Sequence, residues 1–346
     1  MKRIISVIAI SSILLTFTAC GSKNIDAAAS ETKNTVTSEN IESSDKKAKI
    51  VTTIFPEYDW VNAILGDKKD DAEVYMLLDN GVDLHSYQPT AMDIANIADC
   101  DLFIYVGGES DEWVEDALKE SLNEDMIVIN LLDTLGSSIK EEELVEGMEA
   151  EEEESEEAEG EEEGPEYDEH VWLSLKNAKA ICESIEGALE TIDPENASYY
   201  RANTDDYSKK LDNLDSKYAD AVSSAATKTV LFGDRFPFRY MTDDYGLDYY
   251  AAFVGCSAET EASFETIAFL AGKVDELGLS SVLTIEGAGH KIAETIVQNT
   301  ATKDQQILTL DSMQSTTAKD VENGASYLSI MENNLEVLKE ALSSNR

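Results

Sequence analysis

From Glu195 to Phe232 the chain contains neither Gly nor Pro, and Leu211, Leu214, Tyr218 and Val222 step through that stretch at helical intervals. Asp193 reads as an N-cap and Pro194 as the first helical residue, so residues 193–225 are expected to form one helix, in which about thirty residues span about 45 Å at 1.5 Å per residue. A rod of that length cannot fold back into a single small core. It divides the chain into a part before and a part after, and works as a stiff strut, not a loose hinge.

Each part carries four short apolar runs separated by stretches of helical period. Before the strut these are Lys49–Phe55, Glu73–Leu78, Leu102–Val106 and Met126–Leu131; after it, Thr229–Phe232, Tyr249–Phe253, Ser281–Ile285 and Gln306–Leu310. Continuous apolar runs alternating with helices mark strands buried on both faces of a parallel sheet. The expected class is α/β, with two Rossmann-like lobes, residues 49–192 and 226–346, each built on a four-stranded parallel sheet and joined by the long helix. Roughly 300 residues is also more than one core accommodates.

The N-terminus has a different character. Lys2 and Arg3 precede an apolar run from Ile4 to Phe17 that is too short to span a bilayer, and Ala19 stands directly before Cys20. Residues 1–19 read as a secretory signal and Cys20 as the lipidated first residue of a mature lipoprotein. Residues 20–48 are rich in Ser, Thr, Asn and Lys and poor in large apolar side chains, the composition of a flexible tether. The expected location is extracytoplasmic, lipid-anchored to a bacterial cell membrane.

Charge narrows the partners. The formal net charge of −45 excludes nucleic acid and favours cations. Between Glu141 and Glu169 lie eighteen carboxylates and no Lys or Arg, so self-repulsion predicts a disordered acidic loop inserted in the first lobe, placed to gather cations just before His170. Cys100, Cys182 and Cys256 show no CxxC spacing, which argues against a disulfide scaffold and a thiolate metal site and leaves them as small core residues.

Ligands of open parallel sheets bind beyond the carboxyl ends of the strands. Metal-capable side chains fall there: His85 after the second run, His170 after the fourth once the acidic stretch is set aside, Asp234 two residues past the fifth, Glu286 after the seventh and Asp311 after the eighth, with His290 at the start of the following helix. Singly, each is explained by a turn or a helix cap. Together, imidazole and carboxylate donors suit a divalent first-row ion.

The segments "IVTTIFPEYDWVNAILGD", "GVDLHSYQPTAMDIANIADCDLFIYVGG", "DEHVWLSLKNAKAICESI" and "SYLSIMENNLEVLKEAL" resemble the zinc/manganese substrate-binding proteins of ABC transporters, whose lobes are joined by a rigid helix. The resemblance spans Lys49 to Leu342. It implies His85, His170 and Asp311 as ligands of a transported Zn2+ or Mn2+ ion, an ABC permease and its ATPase as partners, a monomer, and no enzymatic activity. The family's third ligand, a His or a Glu, is missing from "LFGDRFPFRYMTDDYGL"; Asp234 is chosen for that place, with Glu286 or His290 as substitutes. Two rival readings are a surface adhesin and, on weaker grounds because no HExxH or dense His/Asp motif is present, an exported metallohydrolase.

Overall fold

The computed structural model describes residues 47–149, 166–257, 261–287 and 289–343. The expected signal peptide, Cys20, the tether and the centre of the acidic stretch lie outside them. The described strands are β1 (Ala48–Thr52), β2 (Ala72–Met76), β3 (Leu102–Tyr105), β4 (Ile127–Asn130), β5 (Thr229–Phe236), β6 (Asp248–Val254), β7 (Ser281–Ile285) and β8 (Gln306–Leu310). The helices are α1 (Phe55–Leu65), α2 (Ala91–Ala98), α3 (Trp113–Lys119), α4 (Leu131–Leu135), α5 (Leu175–Ile192), α6 (Ala197–Ser223), α7 (Arg239–Tyr245), α8 (Phe264–Leu277), α9 (Lys291–Asn299), α10 (Ala318–Glu322) and α11 (Tyr327–Ala341).

All strand pairings within the sheets are parallel, in the orders β2-β1-β3-β4 and β6-β5-β7-β8. Two lobes with one four-stranded sheet each are what alternating apolar runs and helices require. The interior strand β7 is buried at every residue, whereas the edge strand β2 alternates between partly buried and exposed. The larger apolar cluster runs through both lobes, from Ile50 in β1 to Leu342 after α11, and a smaller one lies within the second lobe around Leu231, Phe253 and Leu270. The lobes therefore share packing along their seam, and each fully buried Leu, Ile or Phe there contributes about 1.5–3 kcal/mol.

The long helix begins later than Pro194, which instead opens a 3-10 turn over Pro194–Asn196. Helix α6 then buries Tyr207, Leu211, Leu214, Tyr218 and Val222 along one stripe. It packs on α5 and α1 of the first lobe and on α11 of the second. Asn203 donates to the Ile64 carbonyl at 2.8 Å and Tyr218 donates to the Met331 carbonyl at 2.6 Å, so the strut is bolted to both lobes.

Three expectations shift in detail. The first strand ends at Thr52 because Pro56 suits a helix start, where Glu57 Oε2 accepts from the Thr53 and Ile54 amides at 2.8 and 3.3 Å. Strand β5 continues four residues further than its apolar run, past an irregularity in register between Phe232 and Arg235. Asp234 and Arg235 thus lie within the strand and not beyond its end. The acidic stretch is not wholly without structure: Glu141 bridges to Tyr167, Glu149 pairs with Phe253 of β6, and Glu143 meets Arg239 at 2.7 Å. Its near end escapes self-repulsion by finding an arginine and backbone amides on the second lobe.

Candidate metal centre

His85 owes its position to the loop after β2. Asp83 accepts from the His85 amide at 3.0 Å, closing a 3-10 turn over Leu84–Ser86, and Leu84 is buried beneath it. The aspartate fixes the histidine's backbone while the apolar neighbour anchors the turn. His85 Nδ1 lies 2.8 Å from Ser110 Oγ and 3.5 Å from Glu169 Oε2.

His170 is fully buried, and Asp168 holds it twice, accepting from its amide at 2.8 Å and from its Nδ1 at 3.0 Å. A carboxylate that accepts from Nδ1 fixes the tautomer with a free lone pair on Nε2. The ring packs at 5.2 Å from that of Trp172.

The two Nε2 atoms lie 3.2 Å apart. The Gln314 carboxamide nitrogen stands 3.0 Å from His85 Nε2 and 2.8 Å from His170 Nε2. An amide NH2 can only donate, so both imidazole nitrogens accept, and both rings present their lone pairs to one point. Burial, and then the positive charge of His170 when it is protonated, push His85 down to about 3. Burial also opposes a charge on His170, but the carboxylates of Asp168, Glu169 and Glu142 together outweigh it and raise that group. The pair therefore carries at most one positive charge.

The remaining expected ligands are placed as follows. Asp234 spends its oxygens on the Arg235 amide at 2.9 Å and the Ile285 amide at 3.3 Å. Glu286 accepts from the Ser312 amide (2.6 Å), the Ser312 hydroxyl (2.7 Å) and the Gln314 amide (3.1 Å), which shapes the loop after β8. Asp234, Glu286 and His290 line a cavity of about 510 Å³ together with Asp83 and Arg235. Asp311 is three residues before Gln314 in the β8 loop, where burial and the nearby Glu286 raise its carboxyl to about 6. Among the described residues, the metal-capable donors that converge within 4.8 Å of one another are His85, His170 and Cys256.

This geometry can be set beside known proteins. The sequence model of ZnuA, the zinc-uptake complex component A periplasmic, matches residues 50–341. The chain belongs to the ZnuA family. It is 32% identical over 309 residues to the high-affinity zinc uptake system protein ZnuA of Bacillus subtilis, covering 89% of this chain and 92% of that protein. It is 29% identical over 302 residues to the zinc-binding protein AdcA of Streptococcus pyogenes, covering 86% of this chain but 56% of AdcA, so it spans little more than half of that longer relative. Similar solved structures are the zinc-bound ZnuA-like domain of Streptococcus pneumoniae AdcA (TM-score 0.66, 28% identity, 86% of this chain and 100% of that one) and the metal-dependent lipoprotein YcdH of Bacillus subtilis (TM-score 0.68, 27% identity, 86% and 100%).

Two features of this ZnuA-family chain escaped the sequence reading. Gln314 gave no signal, because a lone Gln in a loop does not differ from any solvated one. Cys256 was read as a core residue, yet it is only partly buried and stands beside both imidazoles, unlike Cys100 and Cys182, which are buried. The usable sign was its place two residues past β6, directly after Gly255.

Proposed function

We propose that this chain is the extracytoplasmic substrate-binding component of an ABC importer, anchored through Cys20, which captures a divalent metal ion between its lobes and hands it to a membrane permease driven by an ATPase. Zinc is the favoured cargo, in keeping with the family and with the names of the relatives. The observation that carries the reading is the pair of Nε2 atoms 3.2 Å apart, each ring held from behind at Nδ1. Backing of that kind orients a ligand and raises its basicity before the ion arrives.

Capture involves no bond-making in a substrate. A hydrated ion gathered by the acidic field loses water to His85 and His170, and Asp311 closes from the second lobe as the carboxylate donor. Two neutral imidazoles, the Asp311 carboxylate and one further anionic donor cancel a double charge, so the enclosed complex has no net charge to desolvate. The ion leaves when docking on the permease parts the lobes.

Elemental analysis of the purified protein, with zinc and manganese in competition, tests this directly. One tightly held zinc per chain, lost in His170→Ala, is expected; no tightly bound divalent ion under any loading condition defeats the proposal.

A further inference from the structure

We infer that the Cys256 sulfur is a direct ligand of the captured ion, taking the place that the family's third histidine or glutamate leaves empty in this chain. The inference rests on the reading of the cleft as a metal site and specifies which ion that site takes.

Three observations converge. First, Sγ of Cys256 lies within 4.8 Å of ring nitrogens of both His85 and His170. Second, the chain is built to bring it there. After β6 the backbone passes so close to the His170 ring that a Cβ on Gly255 would lie 2.8 Å from Cε1, 3.0 Å from Nδ1 and 3.0 Å from the Phe236 carbonyl. Only glycine fits such an approach, and the residue that follows it arrives at the imidazole pair. Third, the alternatives on β5 are committed or absent. Gly233 has no side chain, and a Cβ there would lie 2.5 Å from Ala293 Cα. Asp234 is held by two amides, and Arg235 pairs with Asp83 at 2.6 Å.

Glu142 supports the cysteine from the near end of the acidic stretch, accepting from its amide at 3.3 Å and from its thiol. Coordination breaks the S–H bond and forms the metal–sulfur bond, and the proton passes to Glu142 and out to solvent. The resulting set of two nitrogens, one sulfur and one carboxylate oxygen suits a tetrahedral, borderline-soft ion such as Zn2+, Co2+ or Cd2+. It disfavours Mn2+, which prefers oxygen donors and six ligands.

The test loads the full chain with Co2+ under reducing conditions and reads the sulfur-to-cobalt charge-transfer band in the near ultraviolet. The wild type should show the band, and Cys256→Ser should bind cobalt without it. Loss of a supporting partner alone costs 10–100-fold in metal affinity, so loss of this donor should weaken zinc by about 100-fold, while leaving manganese binding nearly unchanged. A wild type that binds one cobalt without the band, or a Cys256→Ser variant that keeps the band and its zinc affinity, overturns the assignment but leaves metal capture standing. A wild type that binds neither cobalt nor zinc overturns both. Should Cys256→Ser not fold, the wild-type spectrum and protection of the thiol from alkylation by bound zinc decide the question.

Discussion

Gln314 Nε2 lies 2.8 Å from His170 Nε2, so an amide donor stands where the imidazole lone pairs converge. It lies 3.0 Å from His85 Nε2 as well and satisfies both rings at once. An ion approaching the pair has to displace it. Gln314→Ala should therefore act in opposite directions on the two states. The metal-free protein loses about 1–3 kcal/mol, because two buried acceptors are left unpaired, while zinc no longer competes with the carboxamide and binds more tightly. Thermal unfolding with and without zinc checks this: a lower melting temperature in the metal-free state and a larger zinc-induced rise are expected together.

The pair Asp83–Arg235 links the lobes in a second way. Arg235 of β5 reaches Asp83 at 2.6 Å and the Ser257 carbonyl at 3.3 Å, next to Cys256. Asp83 is also the acceptor that fixes the His85 amide. Asn can keep the second role but not the first, so Asp83→Asn should weaken zinc only a few-fold. Asp83→Ala removes both and should weaken it by about 10–100-fold, as expected for a residue that positions a ligand. Competition against a zinc chelator measures the two variants side by side.

The contrast between these residues shows what was legible in the chain. Both sheets, the strut and the histidine pair follow from local periodicity and from the rule that parallel sheets bind ligands beyond their strand ends. Strands β7 and β8 begin and end where their apolar runs do. Asp234 was misplaced because β5 continues through Gly233, a glycine required by the approach of α9; that is tertiary packing invisible to a single-segment reading. Glu286 looked like a ligand by its position and instead organises the β8 loop. Gln314 depends on how two lobes meet, and no local pattern encodes that; for Cys256 the local pattern gave its place just past β6 but not its approach to the imidazoles.

Glu57 is a buried carboxylate outside the site. Burial, then the negative charge of Asp111, raises it to about 8 against opposing hydrogen bonds from Ile54 and Thr53, and its Oε1 is buried with no hydrogen-bond partner among the described residues. A folded-state value above the unfolded one means that the folded state holds its proton more firmly. Glu57 therefore leaves stability intact below the ordinary value of 4.5 and erodes it as pH rises from there to about 8, at up to about 1.4 kcal/mol per pH unit. Glu57→Gln keeps the acceptor for Thr53 and Ile54 and cannot ionise. Denaturant melts at pH 5 and pH 8 should show the variant gaining steadily on the wild type, with the wild type losing stability at the higher pH.

Residues 151–165 supply ten of the glutamates behind the chain's net charge of −45, and the flanking segment delivers Glu142 to Cys256. A charge of that size raises the local concentration of cations and speeds their arrival by about tenfold or more at low ionic strength. Deleting 151–165 while keeping Glu141–Glu149, which pairs with β6, should slow zinc association in stopped-flow measurements at low salt. The difference should vanish near 1 M salt, where the screening length falls to about 3 Å. If affinity stays depressed in high salt, a glutamate of the deleted segment is itself a ligand, because a contact within the coordination sphere survives screening and a distant field does not.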